Sequence, residues 1–236
     1  MAEPPQAVEM KIVVTVNGPY EVTGGVPLSE QIVVRDEDGQ SWEWNEGRTY
    51  PAGETYRLCR CGRSGSKPFC DDTHEAIGFD GTETADRSAY AERMEVYEGP
   101  EMSLTDVVPL CARAAFCQAR GGAWSIVEQT DRAEARALLG HETGHCPSGR
   151  LVAWSGAPST GGSPVEPELP PSIGLVQDPG RGVSGPLWVR GRIPVESADG
   201  TRYEVRNRVT LCRCGHSRNK PFCDGSHVRV GFRDDR

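Results

Sequence analysis

The chain has 236 residues, of which 36% are hydrophobic and 7% aromatic, with 28 glycines and 18 prolines. This abundance of turn-forming residues predicts several small units that depend on bound metal for stability, in place of one large core. The formal charge is −8, yet residues 181–236 alone carry a net +6. Because the acidic remainder would repel phosphate, we expect no nucleic-acid partner, and we expect the two ends of the chain to attract each other.

No apolar run approaches the length of a membrane-spanning helix, and the first residues have neither a basic start nor an apolar stretch of signal length. We therefore expect a cytoplasmic protein without membrane contact. That compartment keeps thiols reduced, so nine cysteines indicate metal or redox chemistry in place of disulfides.

Residues 1–99 predict a β-rich region that ends in a first metal-binding motif. Runs of apolar and alternating residues between Gly, Pro and Asp-Gly turns predict strands at 10–16, 20–24, 30–35 and 54–58. The motif itself is Cys59-x-Cys61-x8-Cys70-x3-His74. A short helix from Pro68 would place Cys70 and His74 on one face.

Residues 100–154 predict a separate segment with helices. Capping patterns at Ser103-x-x-Asp106 and Asp131-x-x-Glu134 predict one helix that runs through Cys117 and another that stops at Gly140. Residues 155–183 follow, with 6 prolines and 6 glycines among 29 residues, and this composition predicts a linker or an extended strap.

Residues 184–236 repeat the first region. Strands predicted at 187–192 and 202–210 precede Cys212-x-Cys214-x8-Cys223-x3-His227. The repetition extends beyond the ligands, because Gly18 and Pro27 align with Gly185 and Pro194. One module has therefore been duplicated.

Three thiolates and one imidazole in sixteen residues suit either Zn²⁺ or a small iron–sulfur cluster. The spacing alone leaves both open. A zinc site would be a closed structural centre, whereas an iron–sulfur site would exchange electrons.

The residues around the ligands are repeated as well, since Lys-Pro-Phe-Cys-Asp precedes each histidine and Gly-Phe follows it after three residues. The whole pattern resembles the CDGSH (NEET-type) family of [2Fe-2S] proteins. The second copy matches that motif throughout, and the first has Asp72 at the motif glycine. The resemblance implies a [2Fe-2S] cluster at each of two ligand sets: Cys59, Cys61, Cys70 and His74, and Cys212, Cys214, Cys223 and His227. We expect Ser64 and Ser217 to hydrogen-bond to these clusters.

Single-module members of that family pair as homodimers. The resemblance therefore implies that the two copies form such a pair within one chain, which gives a monomer.

The remaining cysteines are Cys111, Cys117 and Cys146. Their arrangement is similar to the C-x5-C…C-P pattern of small bacterial ferredoxins that carry a [3Fe-4S] cluster. Four-iron relatives have a further cysteine where this chain has Ala114, so the resemblance implies a three-iron cluster. A [4Fe-4S] cluster or a set of buried free thiols remains the alternative. We expect His141 and His145 not to be ligands.

Together these features predict an α+β protein in which two small β-rich CDGSH modules flank a ferredoxin-like α/β insert. The predicted function is one-electron transfer or redox sensing with a partner protein, without turnover of a substrate, since no nucleophile elbow, phosphate loop or Rossmann fingerprint is present. The alternatives are storage and transfer of [2Fe-2S] clusters to an apo-acceptor, and a structural zinc protein.

Overall fold

The computed structural model describes residues 8–235 and has three β-sheets with short helices. Its strands are β1 (Lys11–Val14), β2 (Tyr20–Thr23), β3 (Leu28–Arg35), β4 (Ser41–Tyr50), β5 (Thr55–Leu58), β6 (Glu95–Glu98), β7 (Met102–Asp106), β8 (Leu151–Ser155), β9 (Ser163–Val165), β10 (Ser172–Asp178), β11 (Val183–Arg190), β12 (Val195–Glu196) and β13 (Arg208–Leu211). Its α-helices are α1 (Thr73–Ala76), α2 (Tyr90–Arg93), α3 (Ala123–Val127), α4 (Ala133–Gly144) and α5 (Ser226–Arg229). The predicted α+β class is confirmed.

The two copies of the module exchange a strand. One sheet has the order β12-β1-β2-β5, and another has the order β13-β11-β10-β3-β4. Strand β12 of the second copy pairs in parallel with β1 of the first. Strand β3 of the first copy pairs in parallel with β10, which extends the second copy on its N-terminal side. Each sheet is therefore completed by a strand from the other copy.

A single apolar core joins these two sheets. Ile12 and Leu58 from the first copy and Ile173 and Leu211 from the second are fully buried in one cluster. Burial of such side chains contributes about 1.5–3 kcal/mol each. The phenol of Tyr20 reaches across the core and donates a hydrogen bond to the carbonyl of Cys212 at 2.8 Å.

The middle segment has its own sheet, of order β6-β7-β8-β9, and its own core. Helices α3 and α4 pack on this sheet, and Leu104, Ile126, Leu139 and Leu151 are buried between them. In the described part of the chain, no helix has the length and apolar character needed to cross a bilayer.

Three sequence predictions about secondary structure are wrong. The strand predicted at 202–210 forms only at its end, as β13. The helix predicted from Ser103 is absent because residues 102–106 form β7, which pairs on both sides with β6 and β8. The linker predicted at 155–183 contains β9 and β10, and β10 lies in the middle of a five-stranded sheet. Its run Ile-Gly-Leu-Val is almost wholly buried, so pairing with two neighbours outweighs the local Pro and Gly content.

Candidate metal centres

The first motif begins where β5 ends, and its loop folds back on that strand. Leu58 forms a bridge with Phe69, the N–H of Cys59 donates to the carbonyl of Pro68 at 2.9 Å, and the N–H of Cys70 donates to that of Arg57 at 3.0 Å. These contacts bring the ends of the loop together. The Sγ atoms of Cys59 and Cys61 lie 3.8 Å apart, and Cys70 Sγ lies 3.4 Å from His74 Nδ1.

The second motif has the same geometry. Leu211 bridges Phe222, and the N–H of Cys212 donates to the carbonyl of Pro221 at 2.8 Å. The Sγ atoms of Cys212 and Cys214 lie 3.7 Å apart, and Cys223 Sγ lies 3.4 Å from His227 Nδ1. Both ligand sets are thus arranged as one pair of cysteines and one cysteine–histidine pair.

The predicted helix from Pro68 or Pro221 is wrong in its start. Asp72 and Gly225 have φ values of 66° and 80°, and the short helices begin at the next residue. A left-handed residue cannot continue a right-handed helix, so the preceding cysteine stays in the loop. Only the histidine of each set lies on a helix.

The motif serines contact the loops with their hydroxyls and the cysteines with their backbone. The hydroxyl of Ser64 donates to the carbonyl of Phe69, and that of Ser217 donates to the carbonyl of Phe222, both at 2.7 Å. The backbone N–H groups of Ser64 and Ser217 bond to Cys59 and Cys212, so a hydrogen bond to the cluster would come from the backbone and not from the hydroxyl.

In each CDGSH motif one of the three thiols favours the thiolate form, whereas the hydrogen bond between the paired cysteines and burial raise the pKa of Cys61 and Cys214. A hydrogen bond from Cys61, with backbone N–H groups nearby, lowers the pKa of Cys59 to about 6. The corresponding bond from Cys214 lowers the pKa of Cys212 to about 7. The N–H of Gly225 donates to Cys223 Sγ at 3.3 Å. Such donors stabilise the negative charge that a thiolate brings to a metal.

The three middle cysteines meet at one cavity. Cys111, Cys117 and Cys146 line one pocket together with Ala114. Burial raises the pKa of Cys117 to about 12, and the adjacent thiols of Cys146 and Cys111 add to this shift. The loop from Cys111 to Cys117 curves around the cavity because Arg113 and Ala115 have φ values of 56° and 67°.

The two histidines of this segment point elsewhere. His141 contacts the carbonyl of Trp42, and His145 contacts Glu43, both on β4. Sequence reasoning missed Glu43. It also missed that His141-Glu142-x-x-His145 is an H-E-x-x-H pattern, a visible signal of a metal site when it lies on a helix.

Comparison with protein families finds matches in the three regions that contain these cysteines. The family described as iron-binding zinc finger, CDGSH type, matches residues 17–75 and 184–228, and the family described as divergent 4Fe-4S mono-cluster matches residues 97–156. The chain therefore contains two CDGSH domains with a 4Fe-4S-like segment between them. No curated protein and no solved structure matches it.

The two CDGSH sites differ in exposure. In the second domain Cys223 is 2% exposed and His227 is 5% exposed, whereas Cys70 and His74 in the first are half-buried. Burial lowers the pKa of His227 to about 4. The first site is therefore the more open to water.

The 4Fe-4S-like segment causes this difference because it covers the second CDGSH site. A Cβ atom placed on Gly225 would lie 2.5 Å from Arg113 Cγ, so Arg113 packs directly on the motif glycine. The side chain of Asn219 donates to the carbonyl of Pro109 at 3.1 Å. In the first CDGSH domain the equivalent residue, Asp72, forms a two-point ion pair with Arg57 at 2.7 and 3.0 Å. The sequence departure at Asp72 thus falls in the copy where the side chain at that position is 45% exposed and pairs with Arg57.

The two CDGSH loops also touch each other. A Cβ atom on Gly62 would lie 2.6 Å from the carbonyl oxygen of Cys214, and one on Gly215 would lie 2.5 Å from that of Cys61. This reciprocal contact requires glycine at both positions. It places a ligand of each CDGSH set beside the other set.

Proposed function

We propose that this iron–sulfur protein is a one-electron carrier or redox sensor with one [2Fe-2S] cluster in each CDGSH domain. Each iron of such a cluster takes two protein ligands. The two ligand pairs per motif, with separations of 3.8 and 3.4 Å in the first and 3.7 and 3.4 Å in the second, support this assignment. The clusters would supply one-electron exchange, and the neutral imidazole raises their potential above that of a four-thiolate site.

Ligand separation argues against the zinc alternative. A tetrahedral zinc ion with bonds of about 2.3 Å would hold four ligand atoms about 3.8 Å apart in every pair. Within residues 8–235, the four ligand atoms of neither motif lie all within 4.8 Å of one another. Two separate pairs fit two irons better than one ion. The spectrum of protein purified without air tests this, because a zinc protein would be colourless.

We propose that Cys111, Cys117 and Cys146 hold a [3Fe-4S] cluster. The three thiols share one cavity, and the lining residue at the position of a fourth ligand is Ala114, which has no donor atom. The resulting content is about seven irons per chain, against about eight for a [4Fe-4S] cluster and about four for an empty cavity.

Iron analysis with electron paramagnetic resonance separates these cases. An oxidised [3Fe-4S] cluster has an odd electron count, so the untreated protein should give a signal that Cys146→Ser abolishes while the [2Fe-2S] absorption remains. An oxidised sample with no paramagnetic resonance signal and about four irons per chain would show that these cysteines are buried free thiols.

Transfer of [2Fe-2S] clusters to an apo-acceptor is the second candidate function, and the openness of the first site favours it. Cys70 and His74 are half-buried and their neighbour Asp71 is exposed, so an acceptor could approach them. Mixing with an apo-ferredoxin discriminates. A carrier keeps its visible absorption through repeated redox cycles, whereas a donor passes it to the acceptor.

We further propose that the protein is a cytoplasmic monomer without a substrate of its own, whose partner is a redox protein or an apo-acceptor. The strand exchange between the two copies supports the monomer, because each sheet already has its partner strand within the chain.

A further inference from the structure

A group of possible metal ligands lies outside all three iron–sulfur sites. His141 and His145 are one turn apart at the C-terminal end of α4, and Glu43 comes from β4 of the first CDGSH domain. One ring nitrogen of each histidine and a carboxylate oxygen of Glu43 lie within 4.8 Å of one another.

Backbone contacts fix which ring nitrogens carry a lone pair. The carbonyl of Trp42 accepts a hydrogen bond from His141 Nε2 at 2.9 Å, and the carbonyl of His141 accepts one from His145 Nδ1 at 2.7 Å. A carbonyl can only accept, so both of these nitrogens carry the proton. Lone pairs remain on His141 Nδ1 and His145 Nε2. Metal-binding histidines are usually held in this way, with the second nitrogen bonded to a carbonyl or carboxylate.

The free nitrogen of His145 faces another acceptor. His145 Nε2 lies 3.2 Å from Glu43 Oε2, and two lone pairs at that distance repel unless a proton or a metal ion lies between them. Neighbouring rings hold the two imidazoles in place. Trp42 stacks on His141 with ring centres 4.1 Å apart, and Phe116 stacks on His145 at 5.4 Å.

We propose that His141, His145 and Glu43 bind one divalent transition-metal ion, with Zn²⁺ the best match. Two imidazoles and one carboxylate are a common zinc ligand set, and histidines four residues apart on a helix can reach one ion. The ion would join β4 to α4 and so fasten the 4Fe-4S-like segment to the first CDGSH domain.

A hydrolytic role does not follow from this pattern. In H-E-x-x-H metalloproteases the glutamate acts as the general base beside the metal. Here Glu142 is fully buried, and neither of its carboxylate oxygens has a hydrogen-bond partner among the described residues. A side chain without access to water cannot activate it, so the ion is structural.

The test uses the cluster-loaded chain, treated with a mild chelator at constant iron content and then titrated with Zn²⁺ by calorimetry. X-ray absorption at the zinc edge reports the ligands. We expect one zinc ion per chain with only nitrogen and oxygen neighbours at about 2.0–2.2 Å, and no loss of iron. Glu43→Gln and His141→Asn should each weaken binding at least tenfold. Glu43 is exposed, so its variant should fold even where His141→Asn does not.

The matched control is His216→Asn, because His216 is an exposed imidazole beside a CDGSH ligand, and this change should leave zinc binding as it is. Three outcomes overturn the proposal. The first is no zinc uptake, which is expected if His145 is protonated and paired with Glu43. The second is uptake that neither variant weakens, and the third is zinc with sulfur neighbours at about 2.3 Å together with loss of iron. The last would place zinc in the cysteine sites and would count against the iron–sulfur assignment separately.

Discussion

Exchanging the residues at the motif glycine position should affect the two CDGSH domains unequally. Gly225→Asp places a side chain on a residue with φ of 80°. Left-handed backbone costs a non-glycine residue about 1 kcal/mol, less for Asp than for most. The new Cβ would also lie 2.5 Å from Arg113 Cγ and 2.7 Å from its Cδ, and such overpacking costs about 1–3 kcal/mol. The total is about 2–4 kcal/mol, which lowers Tm by roughly 5–15 °C in a chain of this length.

The reciprocal change, Asp72→Gly, is the control. It removes the ion pair with Arg57, but both side chains are 45% exposed, so solvent screening leaves that pair little effect on stability. Relief of the left-handed backbone at Asp72, with φ of 66°, offsets part of it. We expect a Tm within about 3 °C of the parent.

Calorimetry on cluster-loaded protein measures both changes, with visible circular dichroism to follow the clusters. Arg113→Ala in the Gly225→Asp background should recover about half of the lost stability, because it removes the clash and leaves only the backbone strain. Equal Tm losses in the reciprocal variants, or no recovery with Arg113→Ala, would show that Arg113 does not pack on the second CDGSH site.

Three further predictions concern pH and assembly. Burial raises the pKa of Glu142 to about 8, so its contribution to stability is fully present below the unfolded pKa near 4.5 and is lost as pH rises through 8. The Tm of the parent protein should decline across that pH window, and the decline should be smaller for Glu142→Gln. Parallel curves of Tm against pH for the two proteins would refute this. In acid, the half-buried first site should lose its cluster before the second, because burial lowers the pKa of His227 to about 4 and so disfavours its protonation. Stopped-flow absorbance should then show two bleaching phases, of which His74→Cys removes the earlier; one common phase contradicts the difference in exposure. Light scattering should give 25.6 kDa at all dilutions, and a mass near twice that value would mean that two chains pair.

The sequence by itself predicted the candidate ligand sets of the CDGSH domains. Sixteen residues carry each set, and their spacing and repeated flanks identify the family without any long-range contact. It also determined that three cysteines remain and that Ala114 stands at the position of a fourth ligand. Helix α4 was predictable, but its end was not, since Gly140 lies inside the helix. These features could be predicted from the sequence because each depends on residues close together in the chain.

Only the tertiary structure decided which strands pair. Strand β12 has two residues and β10 lies in a Pro- and Gly-rich stretch, so neither has a pattern strong enough to reveal a partner about 150–180 residues away. The same holds for Arg113 on Gly225 and for Glu43 beside His145, which lie 112 and 102 residues apart. Which side chains are exposed and which touch at these sites depends on how segments far apart in the chain pack together. A local sequence pattern contains no information about that packing.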